Sequence, residues 1–182
     1  MAQSIKITPR AGWNAEEAKP FREHKPVRFT IHHTGVAFDR ERDAAQHIRN
    51  TQVWGMGPDR QWADIPYHFL ISPQGEIFEG RDPFVEGESG TRYDTAGHLQ
   101  ISLLGNFVEQ EPTPEQLQSL VRLLAWAHEK YEIPTETIAA HRDYAQTTCP
   151  GENLYRLVES GRLKEEADKV IAQRKNGQKP SQ

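Results

Sequence analysis

A single cysteine, Cys149, stands in the whole chain of 182 residues, which excludes any internal disulfide. Long apolar runs are missing too. Mean hydropathy is −0.78, and no stretch reaches the roughly 20 apolar residues of a membrane-spanning helix. Basic residues are not in excess: 22 Lys and Arg face 26 Asp and Glu, for a net charge of −4. The basic stripe that a nucleic-acid partner would require is therefore absent. The opening segment MAQSIKITPRAGW carries no basic-then-apolar signal. That predicts a protein that stays in the cytoplasm until it is released or exported by another route. No internal repeat and no interior linker is visible, and the length suits one domain with a real core.

What is present reads as alternating strands and helices. Val27 to Thr34 alternates Val27, Phe29 and Ile31 against Arg28, Thr30 and His32, a strand pattern. Asp39 to Gln52 places Ala44, Ala45 and Ile48 on one side of a helix. Tyr67 to Arg81 is a β-hairpin turning at PQG, with Tyr67, Phe69 and Ile71 on one face. Leu99 to Phe107 is a strongly apolar strand. In TPEQLQSLVRLLAWAHEKYEI, Thr113, Pro114 and Gln116 make a capping box ahead of a helix whose face carries Leu117, Leu120, Val121, Leu124 and His128. Thr137 to His141 is a short buried strand, and ENLYRLVES with RLKEEADKVIAQRK is one helix broken near Gly161, or two. The expectation is a single α/β domain over 1–174, one central sheet with helices on its faces, then a disordered tail at 175–182.

The stretch AHRDYAQTTCPG holds Cys149 in polar surroundings that offer no apolar period to bury it, unlike an ordinary core thiol. Zinc takes imidazole and thiolate ligands at about 2.0–2.3 Å. His141 at a strand end, Cys149 in the following loop and His32 late in an early strand are a candidate set. His2Cys leaves a fourth position open, the catalytic arrangement. Pro150 and Gly151 suggest that the thiol sits at a helix N-terminus, which favours thiolate. Only one of His32 and His33 can face such a site; the other is a buried hydrogen-bonding residue. His47 and His128 fit helix faces and read as structural, and His24 lies in a loop with no nearby signal. A lone cysteine with histidines elsewhere is equally the pattern of a Cys-His nucleophile.

Taken together, TIHHTG, IPYHFLISPQGEIFEGR, TAGHLQISLLGNF and AHRDYAQTTCPG resemble the zinc-dependent N-acetylmuramoyl-L-alanine amidases, the family that includes T7 lysozyme-type amidases and the peptidoglycan recognition proteins. The resemblance runs from about ITPRAGW to the helix after CPG. It implies a mixed sheet flanked by helices, zinc held by His32, His141 and Cys149, and hydrolysis of the amide between N-acetylmuramic acid and L-alanine. It implies that Tyr67 orients the attacking water or passes its proton, and that Thr147 donates to the developing oxyanion. The glutamate of an HExxH motif, the base in other zinc hydrolases, is absent. WGMGPDRQWADI and DPFVEGESGTRYDTAGH are expected to wall the groove, with Trp62, Arg81, Arg92 and His98 as contacts to glycan or peptide carboxylates. Each of those four reads equally well as an ordinary loop residue. The expected partner is peptidoglycan or a muropeptide, the site of action the cell wall, and the protein a monomer. Two rivals stay open: a non-catalytic peptidoglycan-binding module and the Cys-His thiol hydrolase.

Overall fold

The computed structural model describes residues 5–177. Six strands form one sheet: β1 (Ile7–Thr8), β2 (Arg28–His33), β3 (Phe69–Ile71), β4 (Ile77–Glu79), β5 (His98–Leu103) and β6 (Ala139–Ala140). Their order is β1-β4-β3-β5-β2-β6. Only β3 and β4 pair antiparallel, as the expected hairpin; the other four pairings are parallel. Four helices complete the fold: α1 (Ala44–Met56), α2 (Pro114–Tyr131), α3 (Glu152–Glu159) and α4 (Arg162–Gly177). No helix among the described residues is long and apolar enough to cross a membrane.

Alternation along the strands gives the sheet two unlike faces. Phe29, Ile31, Phe69, Ile71, Leu99, Ile101 and Leu103 form one face and pack on α2, α3 and α4 through Leu120, Leu124, Leu154, Val158 and Leu163. The opposite face is divided. Its β3–β4 part carries Leu70 and Phe78 and packs on Trp13 and on Ala44 and Ile48 of α1. Its β2–β5 part carries Thr30, His32, Gln100 and Ser102, all buried. Polar alternation on a strand usually marks a solvated face. Here loops cover it, and this covered polar strip is where the site lies.

Element boundaries shift for local reasons. α1 begins five residues beyond the expected Asp39 because Asp43 is its cap and accepts from Gln46 N at 3.0 Å; it ends where Gly57 and Pro58 follow. α2 has the expected capping box at Thr113 and Gln116. β5 stops at Leu103, short of Phe107. The strand expected over 137–141 shrinks to Ala139–Ala140, and His141 already opens a 3-10 turn. α3 and α4 are separate, with Gly161 between them at φ 74°. α4 runs through Gly177, past the tail expected from 175; residues 178–182 of that tail lie outside the described residues.

Candidate metal centre

β2 and β6 pair in parallel with Thr30 opposite Ala139 and Ile31 opposite Ala140. Continued by one residue, that register sets His141 beside His32, and the two rings lie 4.6 Å apart. The loop after His141 doubles back, closed by Arg142 N donating to Cys149 O at 3.0 Å. This return brings Cys149 Sγ to 3.7 Å from His32 Nδ1. One donor atom each from His32, His141 and Cys149 fall within 4.8 Å of one another, and all three residues are buried. Two adjacent strand ends and one clasped loop thus bring together the three residues the sequence singled out.

Burial dominates their electrostatics. It pushes His141 down to about 4. It holds His32 well below the usual imidazole range, with His141 the next contributor. Both rings are therefore neutral at neutral pH and keep a lone pair for a cation. Burial pushes the Cys149 thiol up to about 12, opposed only by the His33 backbone N–H at 3.4 Å. The thiolate expected from a helix N-terminus is not favoured by the protein alone: Gly151 caps α3, and the burial of Cys149 outweighs that position. A protonated, buried thiol is a poor nucleophile, so burial disfavours the Cys-His reading even with His32 Nδ1 3.7 Å from the sulfur. The donor set fits zinc, whose charge would displace the thiol proton. His32 Nε2, moreover, is buried without a hydrogen-bond partner.

The second histidine of the pair does what its alternation requires. His33 turns away and its Nδ1 accepts from Phe107 N at 3.2 Å. His128 is structural as expected, bonded to Ile133 O, and His24 is bonded to Gly97 N and Pro83 O. His47 packs on Phe38, with ring centroids 4.7 Å apart.

Tyr67 lies beside His32, ring to ring 5.3 Å. It reaches this position by a route other than the expected one. The residue precedes β3 and packs with Leu70 on the site face, whereas Phe69 and Ile71 face the other core. Burial and the nearby Cys149 raise its phenol above the usual range, partly countered by Ser102. Thr147 Oγ1 accepts from Cys149 N at 3.2 Å, which leaves its own hydroxyl hydrogen free to donate.

The expected groove contacts fare unevenly. Arg81 leaves that group: it is 1% exposed, and its guanidinium is spent on Asp64 O, Ile65 O, Glu86 O and the Glu88 carboxylate. His98 is also buried, bonded to Thr30 Oγ1 at 2.7 Å beneath Tyr93 and Tyr144, so it is floor and not wall. Arg92 is exposed and Trp62 half-buried, the latter edge-on to Trp54. Neither is among the residues touching the cluster. The residues that do touch it from this side are Arg92's neighbours. Thr91 Oγ1 is 2.6 Å from His141 Nε2, and the Tyr93 ring is 5.1 Å from the His141 ring. The sequence reading named Arg92 in this segment as a substrate contact and did not single out Thr91 and Tyr93, because nothing local marks a threonine or a tyrosine as a neighbour of His141.

The chain is similar to known proteins in sequence and in fold. A family model described as N-acetylmuramoyl-L-alanine amidase matches residues 22–152. Peptidoglycan-recognition protein SD of Drosophila simulans is 35% identical over 161 residues, 85% of each chain. The solved structure of the Drosophila protein SD superimposes with TM-score 0.77 at 33% identity, covering 86% of this chain and 94% of that one. Peptidoglycan recognition protein 3 of Mus musculus is 31% identical over 85% of this chain, which spans only 45% of that relative. The N-acetylmuramoyl-L-alanine amidase LysC from Clostridium intestinale URNW matches with TM-score 0.70 at 28% identity, over 87% of this chain and 98% of LysC.

Proposed function

Since the chain belongs to the N-acetylmuramoyl-L-alanine amidase family, we propose that it is a zinc-dependent enzyme cleaving the amide between N-acetylmuramic acid and L-alanine in peptidoglycan or muropeptides. The observation that carries this reading is the buried convergence of His32, His141 and Cys149. Three desolvated metal donors converging on one point support the enzyme over a module that only binds peptidoglycan. Zinc, when bound, supplies polarisation of the amide carbonyl and acidification of the attacking water.

The chain's own groups do the rest. His32 and His141 offer neutral imidazoles because burial keeps protons off them. Tyr67 keeps its phenol proton for the same reason, which suits it to orient the water as a donor. Thr147, whose Oγ1 accepts the Cys149 backbone N–H, keeps a hydroxyl hydrogen that would serve as the donor to a developing oxyanion. Covered on one side by Ser89, Thr91 and Tyr93, the cluster is partly screened from bulk water, which strengthens each of these interactions.

The test is release of stem peptide from a defined muropeptide, followed by mass spectrometry, with zinc analysis of the same sample. Wild-type protein is expected to release the peptide, to stop with a chelator and to resume with zinc. Cys149→Ser is expected to lose both zinc and turnover. Peptide release that persists after exhaustive chelation, or a zinc-loaded protein that binds muropeptide and leaves it intact, would overturn the proposal.

A further inference from the structure

One ring nitrogen of His141 meets an anchored pair of hydroxyls. Its Nε2 lies 2.6 Å from Thr91 Oγ1 and 3.4 Å from Ser89 Oγ. The two hydroxyls are 2.9 Å apart, and Thr91 N donates to Ser89 Oγ at 3.1 Å. Neither residue hangs on a free loop. Just upstream, Glu88 accepts from Ala63 N at 2.8 Å and pairs with the buried Arg81. Glu86, two residues earlier, is tied to Thr95 Oγ1 at 2.6 Å and to Arg22 at 2.8 Å. The segment is thus clamped on both sides of Thr91. Arg81, which the sequence suggested as a ligand contact, acts here through Glu88 as the anchor of that clamp.

We infer that Thr91 is a positioning residue for the metal ligand His141: its hydroxyl oxygen accepts the Nε2–H and so leaves Nδ1 as the nitrogen with an unshared pair. Imidazole ligands to metals are characteristically oriented this way, by a hydrogen bond from the ring nitrogen that does not touch the metal. In its hydrogen-bonding role Thr91 passes its own hydroxyl hydrogen to Ser89 Oγ, so the accepting lone pair stays directed at the ring. The inference rests on the zinc reading for its purpose, but the tautomer it asserts belongs to the protein itself.

Nitrogen-15 NMR of histidine-labelled protein reads that tautomer directly, with His141 assigned by its loss in His141→Gln. Wild-type protein, kept free of metal by a chelator, is expected to show His141 as the Nε2–H form. Thr91→Val, which keeps the shape and removes the acceptor, is expected to shift His141 toward Nδ1–H. It should also weaken zinc binding about 10–100-fold in a chelator competition, and Thr91→Ser should restore both. An Nδ1–H tautomer in the wild type would overturn the inference, and that measurement does not depend on any variant folding. Unchanged tautomer and zinc affinity in Thr91→Val would overturn it as well. Should the tautomer respond as expected while wild-type protein binds no zinc at all, the contact stands and the zinc reading falls.

Discussion

At the scale of single residues, the sharpest question is what one oxygen on Tyr67 does. Its ring packs beside His32 and against the Leu70 core, so a purely structural role is a real alternative. Tyr67→Phe keeps that packing and removes the hydroxyl alone. If the phenol orients the attacking water, turnover should fall about 10²–10⁴-fold, with zinc content and thermal midpoint near wild type. Peptide release within a few-fold of wild type on a zinc-loaded Tyr67→Phe sample would leave Tyr67 a packing residue. The three candidate donors were legible in the sequence because Cys149 is the one thiol and the family resemblance picked His32 and His141 out of eight histidines. Tyr67 was legible in kind but not in direction: it precedes β3, so strand alternation does not govern where its ring points. Arg81 misled because a charged residue in a groove-like segment reads as a contact, and nothing local reveals that Asp64, Ile65, Glu86 and Glu88 all turn inward to meet it.

At the scale of elements, local chemistry was readable and long-range pairing was not. The Thr113–Gln116 capping box and the Gly161 break are written within a few residues of where they act. β1 went unseen because two residues, Ile7 and Thr8, become a strand only by pairing with Ile77 and Phe78 far along the chain. The step from Cys149 into α3 depends on a glycine in the same non-local way. Gly151 has φ 86°, and a Cβ there would stand 2.3 Å from Phe107 C and 2.5 Å from Val108 N. Backbone sits on that side, so nothing flexible can yield. Gly151→Ala is expected to cost about 2–5 kcal/mol, the sum of a left-handed backbone penalty and an overpacked contact. It should also loosen zinc retention, because the displaced segment carries Cys149. Urea unfolding and metal analysis on one preparation check both, and a stability loss under about 1 kcal/mol would show that the approach relaxes freely.

At the scale of the whole molecule, the buried polar face implies sensitivity to acid. Several buried histidines act as neutral hydrogen-bonding links, His98 on that face, His68 beside it and His33 on the opposite face. His68 accepts from Gln100 N at 2.8 Å on one nitrogen and, on the other, donates to Val85 O at 3.0 Å. His33 accepts from Phe107 N, and His98 bonds Thr30. Burial first, in every case, pushes His68 down to about 3 and His33 and His98 down to about 4. These folded values lie below the unfolded imidazole value of about 6.5, so the unfolded chain binds protons that the folded one refuses. Their contribution to stability is therefore fully present above about pH 6.5 and is lost as pH falls toward the folded values. Were the shifts upward, acidification would stabilise instead. Each proton taken up on unfolding lowers stability by about 1.4 kcal/mol per pH unit. With His68 fully buried and two partners behaving alike, the slope between pH 6 and pH 5 should exceed that of one proton. Most carboxylates titrate below this window, so they contribute little to the slope. Urea unfolding at pH 7, 6 and 5, with a chelator present to remove any contribution from metal release, measures it. A midpoint that stays level from pH 7 to pH 5 would mean that these histidines are hydrated or already charged in the folded state, and the polar strip would then be an open surface and not the buried floor of a site.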